Sequence, residues 1–155
     1  MTANSKIIYL ILTLIALGLM LAGPERITSI FTAQDATKIP VSTLLVELKH
    51  LSLPETHTVV TQPSSFDKIV ATGVSVRVQA ASSMAKTIAE LEQSLSRQGW
   101  GTPSRREVAL GEQLKFCKNG MSLVIEPVSQ DAPTRYYMGL GWTKFTRSPS
   151  FCPVP

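Results

Sequence analysis

The stretch QLKFCKNGMSLVIEP, residues 113–127, decides the fold. Asn119 and Gly120 both tolerate positive φ, so they predict a two-residue hairpin turn between Gln113–Lys118 and Met121–Pro127. That turn fixes the register. Lys118 faces Met121, Phe116 faces Leu123 and Leu114 faces Ile125, which gathers the apolar side chains on one face. A slip of one residue would turn all of them outward.

The pattern extends in both directions. After the turn SQDAPT, a third strand is predicted from about Arg135 to Phe145, where Tyr136, Met138, Leu140 and Trp142 alternate with Gly139, Gly141 and Thr143. Upstream, Val74, Val76 and Val78 alternate with Ser75, Arg77 and Gln79, the period of a half-buried strand. Met84, Ile88, Leu91 and Leu95 then recur at helical spacing. Ser82 or Ser83 can cap this helix, and Lys86 and Glu90 pair four apart on its polar side. Gly99 stops the helix and Trp100 folds back over its end. The predicted class is α+β: a small β-α-β-β-β domain, one helix packed on a mostly antiparallel sheet, following an N-terminal transmembrane helix.

Residues 41–53 read two ways. Leu44, Leu48 and Leu51 suit a helix, whereas Leu44, Val46 and Leu48 against Glu47 and Lys49 suit a strand; Pro54 ends either. Residues 54–68 read as a loop holding a possible short strand at 58–61.

The N-terminal stretch IIYLILTLIALGLMLAG, residues 7–23, carries no charge and no polar stripe. At about 1.5 Å per residue it gives roughly 26 Å of helix, near the lower limit for spanning a bilayer. The alternative is a cleaved signal that releases a secreted domain, although Met20 and Pro24 make a poor cleavage site around Ala22. Lys6 and the α-amino group precede the span, while Glu25 offsets Arg26 beyond it. The charge bias therefore places residues 1–6 in the cytoplasm and the chain beyond the span outside the cytoplasmic membrane. Residues 24–40 form a tether between prolines, and 41–155 the extracytoplasmic domain. Gly18 and Ala22, four apart, offer a small-residue face for weak self-association.

Strand parity puts Cys117 on the sheet face away from the helix. Cys152 lies in the proline-rich tail SPSFCPVP, and an even cysteine count behind a membrane-targeting segment predicts a Cys117–Cys152 disulfide. Gly139 and Gly141 face the same way, where glycines permit another backbone to approach. Tyr137 and Phe145 share that face and are candidate partner-binding residues. If the last strand is an edge, it offers a partner a strand to pair with, unless 41–53 or the tail covers it.

Charged residues make up 17% of the chain and apolar ones 44%, proportions of a globular rather than a disordered chain. Motifs that carry chemistry are missing. There is no GxSxG elbow, HExxH, phosphate-binding loop or GxGxxG turn. His50 and His57 read as a surface pair without metal-ligand spacing, and Glu90, Glu92, Glu107, Glu112 and Glu126 as solvated charge. No cofactor, metal or catalytic set is expected. The net charge of +4 is scattered. Only Arg105 and Arg106 adjoin, no single-strand platform appears, and nucleic acid is not expected as a partner. Arg105 and Arg106 are candidates for contact with a partner, anionic lipid or an acidic envelope polymer. The expectation is a non-catalytic interaction module of a bacterial cell-envelope assembly with a protein partner. The alternative is a module that binds a cell-wall polymer or peptide on the sheet face, with a histidine-based hydrolase behind both.

Overall fold

A computed structural model describes residues 37–129, 131–145, 148 and 150–153. The apolar segment 7–23 with Gly18 and Ala22, and the tether up to residue 36, lie outside the described residues. Among the described residues, no helix is long and apolar enough to cross a membrane.

The ambiguous segment is a helix, α1 (Val41–His50). Pro40 precedes it with φ −65°, the value its ring imposes, and its carbonyl accepts from the amides of Thr43 and Leu44. Leu44 is fully buried, and Val41, Leu45 and Leu48 pack around it at helical spacing. Val46, which a strand would have turned inward, stays 56% exposed. Burial on one helical stripe decides the conformation.

β1 (His57–Val59) and β2 (Ser64–Lys68) follow, then β3 (Ala71–Ala80), α2 (Met84–Arg97), β4 (Ser104–Val108), β5 (Gly111–Lys118), β6 (Met121–Ser129) and β7 (Thr134–Thr143). They form one seven-stranded antiparallel sheet in the order β1-β3-β7-β6-β5-β4, with β2 also paired to β3. The β-α-β-β-β expectation thus omits α1, β1, β2 and β4, which complete the edges and add a second helix. The last strand is no edge, and what covers it is neither 41–53 nor the tail: it lies between β3 and β6 and spends its backbone on both.

The hairpin forms in the expected register, with Leu114 opposite Ile125 and Phe116 opposite Leu123. Asn119 and Gly120 have φ of 50° and 76°, the paired positive values this turn requires. Across the sheet, Val74 meets Leu140 and Val76 meets Met138, and Leu140 in turn meets Leu123. One face is therefore continuously apolar, and Leu44, Leu91 and Leu95 of the two helices close it. The serine hydroxyls do not cap α2. Ser83 is its N-cap through the backbone alone, and Ser82 Oγ turns instead to Thr87 Oγ1, 3.1 Å away.

Gly99, at φ 81°, ends α2, and the amide of Trp100 then donates back to the Leu95 carbonyl. Trp100 is buried, with Lys118 Nζ 5.5 Å above its ring. The same ammonium reaches Glu47 Oε1 at 2.7 Å, joining α1 to the tip of the hairpin.

Candidate functional site

The reverse face of the sheet is the one the helices leave open. Cys117 and Cys152 are bonded there, with Cα atoms 5.5 Å apart. Lys115 Nζ donates to the Phe151 carbonyl at 3.1 Å, so a disulfide and a charge-assisted hydrogen bond both hold the tail on β5. In the chain-entropy account, closing the 117–152 loop stabilises by roughly 3–4 kcal/mol.

Beside the tail, the face carries a groove of about 330 Å³. Its floor is built from Gly73, Gly139 and Gly141, and Gly73 and Gly141 are direct cross-strand partners. Three aromatic rings stand around this floor. Phe66 lies over Gly73, where an added Cβ would sit 2.3 Å from the ring. Tyr137 lies across Gly139, where the corresponding distance is 2.9 Å. Phe145, just past β7, lines the far side with Ser148 and Ser150 of the tail. Gly73 and Gly139 thus receive aromatic rings, Gly141 does not, and the tail stands as a wall. Phe66, Tyr137 and Phe145 are 51%, 39% and 53% exposed.

The structure brings Tyr137 and Phe145 together and separates Arg105 and Arg106 from them. Both arginines lie on β4, the opposite edge of the sheet. Arg105 faces the helices, donating to Glu92 of α2 and, at 2.6 Å, to Glu112 of β5. It ties an edge strand to its neighbours. Arg106 is paired in register with Gln113 and is exposed. Lys38 pairs with Asp67. Phe66 was not singled out in the sequence, because its strand is exposed at every position and shows no alternation of burial.

The histidines do not form a surface pair. His50 is exposed at the end of α1, whereas the His57 side chain has no solvent exposure. His57 Nδ1 lies 2.9 Å from Tyr136 Oη, and Nε2 lies 3.1 Å from Glu90 Oε2. A carboxylate can only accept, so Nε2 carries the proton and Tyr136 donates to Nδ1. Glu90 is therefore more than solvated charge; it also accepts from Thr56 Oγ1 at 3.2 Å. Burial holds the His57 pKa below its ordinary value, outweighing the hydrogen bond and charge of Glu90. For Glu90, partial burial pushes upward, but hydrogen bonds from His57 and Thr56 and the nearby Lys86 hold the carboxyl below its ordinary value. Burial raises the Tyr136 hydroxyl. Neither His57 nor Tyr136 is open to a substrate.

A cleft of about 620 Å³ lies next to this network, between the α1–β1 connection and α2. Several of its polar groups are already committed to one another. The Ser52 amide donates to Gln98 Oε1, and the Ser52 carbonyl accepts from Ser94 Oγ and Gln98 Nε2. Among the described residues, no three His, Cys, Asp or Glu side chains gather as a metal site. No family model, curated protein or solved structure matches the chain.

Proposed function

We propose that this chain is a non-catalytic binding module of a bacterial cell envelope. Residues 7–23 anchor it in the cytoplasmic membrane, the domain stands outside, and the reverse face of the sheet meets its partner in the envelope assembly. The observation that carries this reading is the groove. Three large rings left half in water around a glycine floor are costly to expose, and contiguous exposed apolar surface marks interaction sites. The disulfide supports the outer location, since such bonds persist in oxidising compartments. The non-catalytic part is supported by the burial of His57, which has a hydrogen-bonded acid on one side and a hydroxyl on the other.

Site-directed photo-crosslinking in the full-length protein, in native membranes, tests the surface. A photoreactive residue replacing Phe145 should give adducts that the same residue at Arg106 does not. Adducts at position 106 with none at 145 would overturn the assignment.

A further inference from the structure

The occupant of the groove must be something that a sheet face, rather than a sheet edge, can recognise. β3 and β7 each pair on both sides, so their amides and carbonyls are spent in ladders and no partner strand can add to them. What the face offers is ring planes, a floor without side chains, hydroxyls, and positive charge at one end.

Ring planes over a flat floor suit a sugar. The C–H groups on the apolar side of a pyranose carry slight positive charge, and the face of an aromatic ring carries the negative lobe of its quadrupole. Tyr137 lines a second depression as well, about 290 Å³, shared with Gln62, Ser64, Ser75 and Arg77. The two hollows meet at its ring, and each lies near the lower end of the roughly 300–1,000 Å³ typical of ligand pockets. Together they make an elongated track rather than a deep hole.

The charge lies at the second hollow. Arg77 is paired in register with Tyr137, and Arg135 with Gln79 one ladder step along the same face. Among the described residues, neither arginine has an acidic side chain within 4.0 Å. Glu126, the in-register neighbour of Tyr137 on the other side, accepts from Gln113 and keeps its negative charge, but it lines neither hollow. Among the described residues that line the two hollows the charged side chain is Arg77, and it complements a carboxylate.

We infer that the reverse face binds an acidic glycan strand. Sugar rings lie over Gly141 and against the solvent-facing sides of Phe66, Tyr137 and Phe145, and a carboxylate on the glycan meets Arg77. This rests on the reverse-face reading above and adds the chemical class of the ligand.

The full-length protein in detergent is titrated with three probes: an oligosaccharide alternating N-acetylhexosamine with hexuronate, a neutral N-acetylhexosamine oligomer of equal length, and an acidic peptide containing aromatic residues. The acidic oligosaccharide should bind most tightly. Tyr137→Ala and Phe145→Ala should each weaken both glycans roughly two- to tenfold. Arg77→Gln should weaken the acidic glycan about tenfold and leave the neutral one unchanged. Arg106→Gln, on the far edge, should change neither, and circular dichroism of each variant establishes that it is folded. Binding of the peptide without either glycan would overturn the glycan assignment in favour of a protein ligand. If no probe binds while position 145 still gives adducts in membranes, the ligand class is wrong and the surface stands. If position 145 gives none, both fall.

Discussion

His57 Nδ1 lies 2.9 Å from the hydroxyl of Tyr136, seventy-nine residues further along the chain, and this bond joins edge strand β1 to β7 from across β3. A neutral imidazole fits the site, because it accepts from Tyr136 and donates to Glu90. Protonating Nδ1 would place a second donor against that hydroxyl and a positive charge in a site without solvent exposure.

Stability should therefore fall in acid. The folded-state pKa of His57 lies below its ordinary 6.5, so below that pH the unfolded chain binds the proton first. Its contribution is fully present above pH 6.5 and is lost as pH falls through the window down to the folded value. Glu90, also lowered, adds a loss in the same direction as pH falls below its ordinary 4.5. Denaturant midpoints at pH 7.5 and pH 5 test this. A midpoint unchanged between them would contradict a buried neutral His57. His57→Ala should cost about 1–3 kcal/mol at pH 7.5, because the Tyr136 hydroxyl loses its buried acceptor.

The disulfide should matter most when the tail is challenged. Cys117→Ser with Cys152→Ser should lower unfolding stability by about 2–4 kcal/mol. Limited proteolysis should then cut beyond Thr143, where the wild type resists. Equal stability of the double variant and the oxidised wild type would show that the Lys115–Phe151 contact alone holds the tail.

The glycine floor gives a graded test. An alanine at Gly141 would meet backbone, the Thr72 carbonyl at 3.3 Å, and should cost roughly 1–3 kcal/mol. An alanine at Gly73 would meet the end of the half-exposed Phe66 ring and should be cheaper, since the ring swings into solvent. Proton NMR of the Phe66 ring should show large shifts in Gly73→Ala and small ones in Gly141→Ala. The reverse pattern would place the ring elsewhere.

Arg105 looks important by its two carboxylate partners, yet the side chain is nearly half exposed. Screening leaves such pairs worth about 0–1 kcal/mol. Arg105→Ala should stay within that range by thermal or chemical denaturation. A loss of several kcal/mol would mean that the clasp on β4 carries the edge.

What the sequence discloses follows from where each signal is stored. The hairpin register, the β3 alternation and the stop at Gly99 are local, each written within a few residues of chain. β4 is illegible because SRREV is exposed over nearly its whole length, as a charged edge strand tends to be, and so shows no period of two. The 41–53 segment holds both periods, and only its packing against the sheet separates them. His57 reads as a surface histidine because its partners, Glu90 and Tyr136, become neighbours only once α2 and β7 are in place. Phe66 is hidden for the same reason: its significance comes from Gly73 beneath it, across a strand pairing that the sequence does not announce. Tyr137 and Phe145 were legible through strand parity, which placed them on the open face.

The proposed function depends first on the domain standing outside the membrane with its sulfurs joined. Trapping the thiols in osmotically opened cells, with a maleimide that does not cross the cytoplasmic membrane, tests this most directly. Cys117 and Cys152 should be unreactive in the untreated protein, and both should be labelled after reduction while the cytoplasmic membrane remains sealed. Free thiols reached only after that membrane is broken would put the domain in the cytoplasm and contradict the envelope reading.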